Sequence, residues 1–142
     1  MNLNLPVSVI MHPNPVSVKG DQKLVDIKHI YEKKNFHRHI PVVCDGAPAG
    51  MISLIDFMRI AEGASLDDRH EQYQRLTAAD IMTNHVVAKD ADTPIREIAE
   101  IFVRNEIHAI PIVKHGQLAG IVTATDVIRY LLEAVKNIHL NK

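Results

Sequence analysis

The apolar positions change their period twice between residues 85 and 135, and the changes mark the elements. His85–Lys89 is a short β-rich run. Thr93-Pro94 then reads as an N-cap followed by proline at the first helical position. Ile95, Ile98, Ala99, Phe102 and Val103 recur at helical spacing, with Arg96, Glu97, Glu100 and Arg104 opposite. The pattern predicts an amphipathic helix ending near Asn105. Ala109–Val113 has the unbroken apolar character of a buried strand. His115-Gly116 is a tight turn and Leu118–Thr123 the returning strand, so the pair predicts a hairpin. From Asp126 to Val135 the helical period returns, and Val127, Ile128, Leu131, Leu132 and Val135 are expected to face inward. Upstream, Thr77 three residues before Asp80 predicts a capped helical turn carrying Ile81-Met82.

The same order occurs earlier in the chain. Ile40–Arg59 aligns without a gap on Ile110–Arg129, and 8 of the 20 positions are identical: the pairs Ile40/Ile110, Pro41/Pro111, Val43/Val113, Gly46/Gly116, Ala49/Ala119, Gly50/Gly120, Asp56/Asp126 and Arg59/Arg129. Ile10-Met11 corresponds to Ile81-Met82, and Asp21, Ile27 and Ile30 to Asp92, Ile98 and Ile101. The upstream offset is one residue longer, which puts an extra residue in the first copy between Lys34 and Ile40, near Phe36-His37-Arg38-His39. A fixed-spacing repeat of this kind is read before any single motif. The expected fold is α/β (α+β), two tandem β-α-β-β-α units. Unit 1 covers residues 1–61, a polar connector 62–76, and unit 2 residues 77–142. One such sheet, with helices on one face, leaves apolar surface uncovered, so the two units are expected to pack together.

Composition narrows the functional classes. The 142 residues are 46% apolar, enough for a core, and carry 16 basic against 17 acidic side chains. That balance lacks the cationic surplus of a nucleic-acid-binding surface. Cys44 is the single cysteine, which excludes an intramolecular disulfide and a multi-cysteine zinc site. No stretch approaches the ~18 consecutive apolar residues of a membrane span, and a cytoplasmic location is the expectation. Nine histidines invite a metal reading. Yet His37 and His39 have no third ligand at suitable spacing, and no metal is expected. Paired carboxylates, a Ser-His-Asp order and a glycine-rich phosphate loop are all missing, so an enzyme is not expected.

Ile-Met, a short strand, an amphipathic helix, Ile-Pro-Val and then Gly-φ-φ-Thr-x-x-Asp (φ apolar) form a pattern that resembles the CBS domain. It occurs twice in order over nearly the whole chain. The resemblance implies a Bateman module, two CBS units packed through their sheets around a pseudo-twofold axis, whose clefts bind adenosine-containing ligands such as AMP, ADP, ATP or S-adenosylmethionine. It implies a regulatory role toward an unidentified partner protein, and the expectation is that nucleotide binding shifts the angle between the two units, or between modules in a dimer. Two units and short tails fill these residues, so the expectation is a stand-alone pair that forms a homodimer. The adenine nucleotide is its regulatory ligand and no other cofactor is required.

Asp126, at a strand-to-helix junction, can accept hydrogen bonds from vicinal ribose hydroxyls. The Thr123 hydroxyl and the first amides of the helix suit a phosphate or ribose oxygen. The same Thr-x-x-Asp arrangement is an ordinary helix cap, and the two roles are compatible. The resemblance assigns ribose to Asp126 and phosphate to Thr123, with Thr125 beside them. Ala109, Ile110 and Pro111 would meet the base, and Thr83, His85 and Val86 would begin the other wall. His108 and Arg129 could reach a phosphate. In the first copy Ser53, Asp56, Ile40 and Pro41 form a weaker second site, because Ile55 replaces the position of Thr125. The alternative function is a ligand-free dimerisation or interaction scaffold.

Overall fold

The structure, a computed structural model, describes residues 1–33, 38–61, 67 and 69–140. Lys34–His37, part of the stretch that holds the extra residue of the first copy, lie outside the described residues, as do Glu62–Leu66 and Asp68 of the connector. The element order is a 3-10 turn (Val7–Val9), β1 (His12–Pro13), β2 (Val18–Lys19), α1 (Leu24–Tyr31), β3 (His39–Cys44), β4 (Ala47–Ser53), α2 (Leu54–Ala61), α3 (Glu71–Arg75), α4 (Ala78–Ile81), β5 (Lys89–Asp90), α5 (Ile95–Arg104), β6 (Ala109–Lys114), β7 (Gln117–Thr123) and α6 (Ala124–Leu140). The β-α-β-β-α order expected from the repeat is present in both copies, as β2-α1-β3-β4-α2 and β5-α5-β6-β7-α6.

The chain forms two compact units, Pro15–Val86 and Met1–Asn14 with Val87–Lys142. In the first, the sheet order is β2-β3-β4; in the second it is β1-β7-β6-β5. Each sheet holds one parallel pair, β2 with β3 or β5 with β6, and one hairpin, β3–β4 or β6–β7. Both hairpins turn on two residues of positive φ, Asp45-Gly46 (51° and 82°) and His115-Gly116 (53° and 77°). Such turns match the strand twist, and glycine occupies the second position without a Cβ penalty. Both hairpins carry a register shift at the same place, between Val42 and Val43 and between Ile112 and Val113.

The repeat and the compact unit are out of phase by one segment. The arm Ile10-Met11-His12 precedes β2 in sequence, yet β1 pairs antiparallel with β7, His12 opposite Ile121 and Pro13 opposite Gly120. Its counterpart, Ile81-Met82-Thr83, joins the other sheet: Met51 and Thr83 exchange both backbone hydrogen bonds at 3.2 and 2.9 Å. A glycine on the hairpin admits each arm. A Cβ on Gly120 would fall on the Met11 sulfur and 3.0 Å from the His12 carbonyl oxygen. One on Gly50 would meet the Met82 sulfur and the Thr83 carbonyl in the same way. The identical glycines and the Ile-Met pairs of the repeat therefore serve one crossing.

Each unit buries its own core. In Pro15–Val86 it is built on Val18, Leu24, Ile27, Ile40, Val42, Ile52 and Phe57. In the other unit it is built on Val7, Ile98, Ile110, Ile112, Val122 and Val127. Lys28, also buried, forms an ion pair with Glu32 one turn on, and its ammonium lies 5.5 Å from the centre of the Tyr73 ring.

Several expectations need correction. Ile128, Leu132 and Val135 are exposed, not inward, and so is Val103 at 86%. The sheet takes Val127, with Leu131 packed beside it, leaving a second apolar stripe about 100° around α6 uncovered. α6 begins at Ala124 rather than Asp126, and His85–Ala88 is not strand. Pro94 is the cap residue of α5 rather than its first helical residue, because its ψ of 144° is extended. The connector is not wholly exposed: α3 packs on α1 and buries Tyr73.

Candidate functional site

The strand-to-helix junction of the second copy gathers its polar groups on Asp126. β7 ends at Thr123 and α6 starts at the next residue, so Asp126 lies in the first helical turn. Its side chain is only 3% exposed, an unusual position for a carboxylate unless its oxygens are satisfied. Oδ2 accepts from the Thr123 amide at 2.8 Å and the Thr123 hydroxyl at 2.9 Å. The same hydroxyl accepts from the Asp126 amide at 3.3 Å, a reciprocal cap. Oδ1 faces two basic side chains, His12 Nε2 at 2.9 Å and Arg129 Nη1 at 3.1 Å. Both are more than half exposed, at 62% and 57%. Thus one oxygen is held by the fold and the other by groups that can swing away.

Beside Asp126 lies a groove of about 420 Å³, lined by Leu5, Val9, Ile10, Asp126, Arg129, Tyr130 and Glu133. Its floor is apolar and comes from the N-terminal segment. Its polar wall comes from successive turns of α6. That size falls within the range of small-ligand pockets. The Tyr130 hydroxyl donates to the Asn2 carbonyl at 2.7 Å, which ties the N-terminal segment to α6.

The remaining residues singled out by sequence distribute as follows. Thr125 is exposed one residue before Asp126. His108 is exposed, and its carbonyl accepts from the Ala124 amide at 3.3 Å, closing the helix start. Ala109 is half-buried and Pro111 buried, while the Ile110 side chain is fully buried in the core. Ile110 can therefore offer a ligand only its backbone. Thr83, exposed, belongs with His85 and Val86 to the compact unit that carries Ser53 and Asp56.

The first copy is looser. Asp56 donates its amide to Ser53 Oγ at 3.0 Å, and its Oδ2 accepts from the Ser53 amide at 3.4 Å. Pro41 is buried and Ile40 is fully buried in that unit's core. Burial, and after it the charge of Asp56, raises the Tyr31 phenol above its usual range. No group of three or more His, Cys, Asp or Glu that could hold a metal ion occurs among the described residues. Cys44 is a free, exposed thiol. No helix among the described residues is long and apolar enough to cross a membrane.

His12 stands beside Asp126 and was not among the residues singled out by sequence. It lies 114 positions from Asp126. One signal was present: the arm alignment that pairs Met11 with Met82 puts His12 at the position of Thr83.

Residues 7–63 and 78–133 each match the CBS domain. The Vibrio cholerae protein AcuB superposes with a TM-score of 0.78 at 22% identity, covering 99% of both chains. CBSX2, solved in complex with AMP, gives 0.73 at 20% identity over 92% of this chain and 98% of that one. The CBS domain pair of MJ0100, solved with 5′-methylthioadenosine and S-adenosyl-L-methionine, gives 0.73 at 24% identity, covering 91% and 97%. Among curated sequences, the uncharacterized protein MJ1225 of Methanocaldococcus jannaschii is 29% identical over 77% of this chain. The chain spans 41% of that relative's length.

Proposed function

The chain belongs to the CBS domain family as a tandem pair, and on that premise we propose that it is a regulatory module that binds an adenine nucleotide at Asp126. The arrangement of the two Asp126 oxygens carries the reading. A carboxylate held rigidly through Oδ2, with Oδ1 turned to displaceable side chains, suits the paired hydroxyls of a ribose. Arg129, once released, is a mobile cation for the phosphate, and the exposed Thr125 adds a hydroxyl at the helix start. The ligands of CBSX2 and of the MJ0100 pair share an adenosine group, which supports the same ligand class here. Ser53 and Asp56 form a second, weaker site, with Thr83 on the neighbouring arm.

A sensor also needs a listener. The exposed stripe Ile128, Leu132 and Val135 is apolar surface suited to a homodimer contact, and ligand binding would act on a partner protein beyond it. Regulation follows only if the ligand binds one state of the module more tightly than another. The second reading is a ligand-free scaffold. It is favoured by one observation, that both Asp126 oxygens are already bonded within the chain. Calorimetry with AMP, ADP, ATP and S-adenosylmethionine separates the two. The sensor predicts saturable binding of at least one, weakened by Asp126→Ala; the scaffold predicts none.

A further inference from the structure

We propose that His12 is a proton-linked latch on Asp126, which makes capture of a ribose diol weaker as the pH falls. The inference rests on the nucleotide reading and adds a regulatory group to it. His12 Nε2 sits 2.9 Å from Asp126 Oδ1, the oxygen not held by Thr123. A diol that takes both oxygens must displace it. When the imidazole is protonated, displacement breaks an ion pair as well as a hydrogen bond; when it is neutral, only a hydrogen bond is lost. Histidine ordinarily changes charge between about pH 5 and 8.

The surroundings isolate this effect. From α6, Asp126 meets His12 through Oδ1, an oxygen it shares with Arg129; a guanidinium stays charged throughout that range. Glu133 and Tyr130 line the same groove. β7, on which β1 lies, carries no charged side chain from Gln117 to Thr123, and neither does the turn Val7–Val9. The equivalent arm residue of the other unit is Thr83, which cannot carry charge. The two junctions are thus distinguished by a titratable group on one arm.

Adenosine is the probe, because it carries the diol without a phosphate. Calorimetric titration of the full chain is run at pH 5.5 and pH 8. Wild type should bind roughly two- to five-fold more weakly at the lower pH, the scale of one exposed ion pair, and the difference should shrink in 1 M salt. His12→Thr should bind equally at both pH values and at least as tightly as wild type at pH 8. His12→Arg, permanently charged, should bind weakly at both. A pH dependence that persists in His12→Thr, or its absence in wild type, overturns the latch while leaving nucleotide binding intact. Binding of AMP without binding of adenosine also overturns it, since the diol would then not be the group captured. Failure of both ligands removes the nucleotide reading and the latch together.

Discussion

Gly120→Ala tests how the N-terminal arm is seated. The added Cβ would fall on the Met11 sulfur, 2.9 Å from Met11 Cγ and 3.0 Å from the His12 carbonyl oxygen. The thioether can swing aside, but the carbonyl is backbone, and moving it pulls His12 out of register with Ile121. Overpacking of this kind costs ~1–3 kcal/mol. Replacing a strand glycine by alanine recovers about 0.5–1 kcal/mol of chain entropy. Because the obstructing His12 carbonyl is backbone, the overpacking cost lies in the upper part of its range, ~2–3 kcal/mol, so the net destabilisation should be about 1–2.5 kcal/mol, or roughly 3–8 °C in Tm for a chain of this length. Thermal unfolding followed by circular dichroism reads it directly. The double variant Met11→Ala/Gly120→Ala should lose less than the sum of the single variants, because one partner of the clash is gone. Gly120→Ala within 0.5 kcal/mol of wild type would refute the crossing of the arm over β7.

Asp80→Asn should lower stability in a pH-dependent way. Hydrogen bonds from the Thr77 amide, and then from its hydroxyl, hold the Asp80 carboxyl below its usual range. Its contribution is therefore present above the unfolded carboxylate range and lost as the pH falls through the lowered value. The gap in urea midpoint between wild type and Asp80→Asn should be constant above about pH 5 and close in stronger acid. A gap that widens in acid contradicts this. The homodimer proposed above predicts that Leu132→Arg, on the exposed stripe of α6, shifts the chain from dimer to monomer in light scattering without changing monomer stability by more than about 0.5 kcal/mol; a wild type that is already monomeric contradicts the homodimer itself. A variant that stays dimeric removes that stripe from the contact.

The repeat was legible because it is written in neighbouring residues: hairpin turns at Asp45-Gly46 and His115-Gly116, Thr or Ser three before Asp, and helical periods between them. The out-of-phase arms were not. Ile10-Met11 and Ile81-Met82 are plainly equivalent, but no local pattern tells an arm which sheet it joins. Only the close approach at Gly50 and Gly120 reveals it. The same limit hid His12, whose partner is remote in sequence. The inward face of α6 was misread for a different reason. Val127 and Leu131 lie beside Ile128, Leu132 and Val135 on one broad apolar arc. Periodicity locates such an arc but cannot divide it between core and surface. That Asp126 and Thr123 would cap the start of a helix was legible from type and position. What the sequence could not say is that the two oxygens of Asp126 would be held so differently.

The Thr123 amide, bonded to Asp126 Oδ2, is a reporter built into the site. Its resonance, followed by two-dimensional NMR during titration with AMP, tests nucleotide capture at Asp126 most directly. Saturable displacement of the Thr123 and Asp126 amides, lost in Asp126→Ala at the Thr123 signal, is the predicted result. An AMP titration that leaves both resonances unmoved would contradict it.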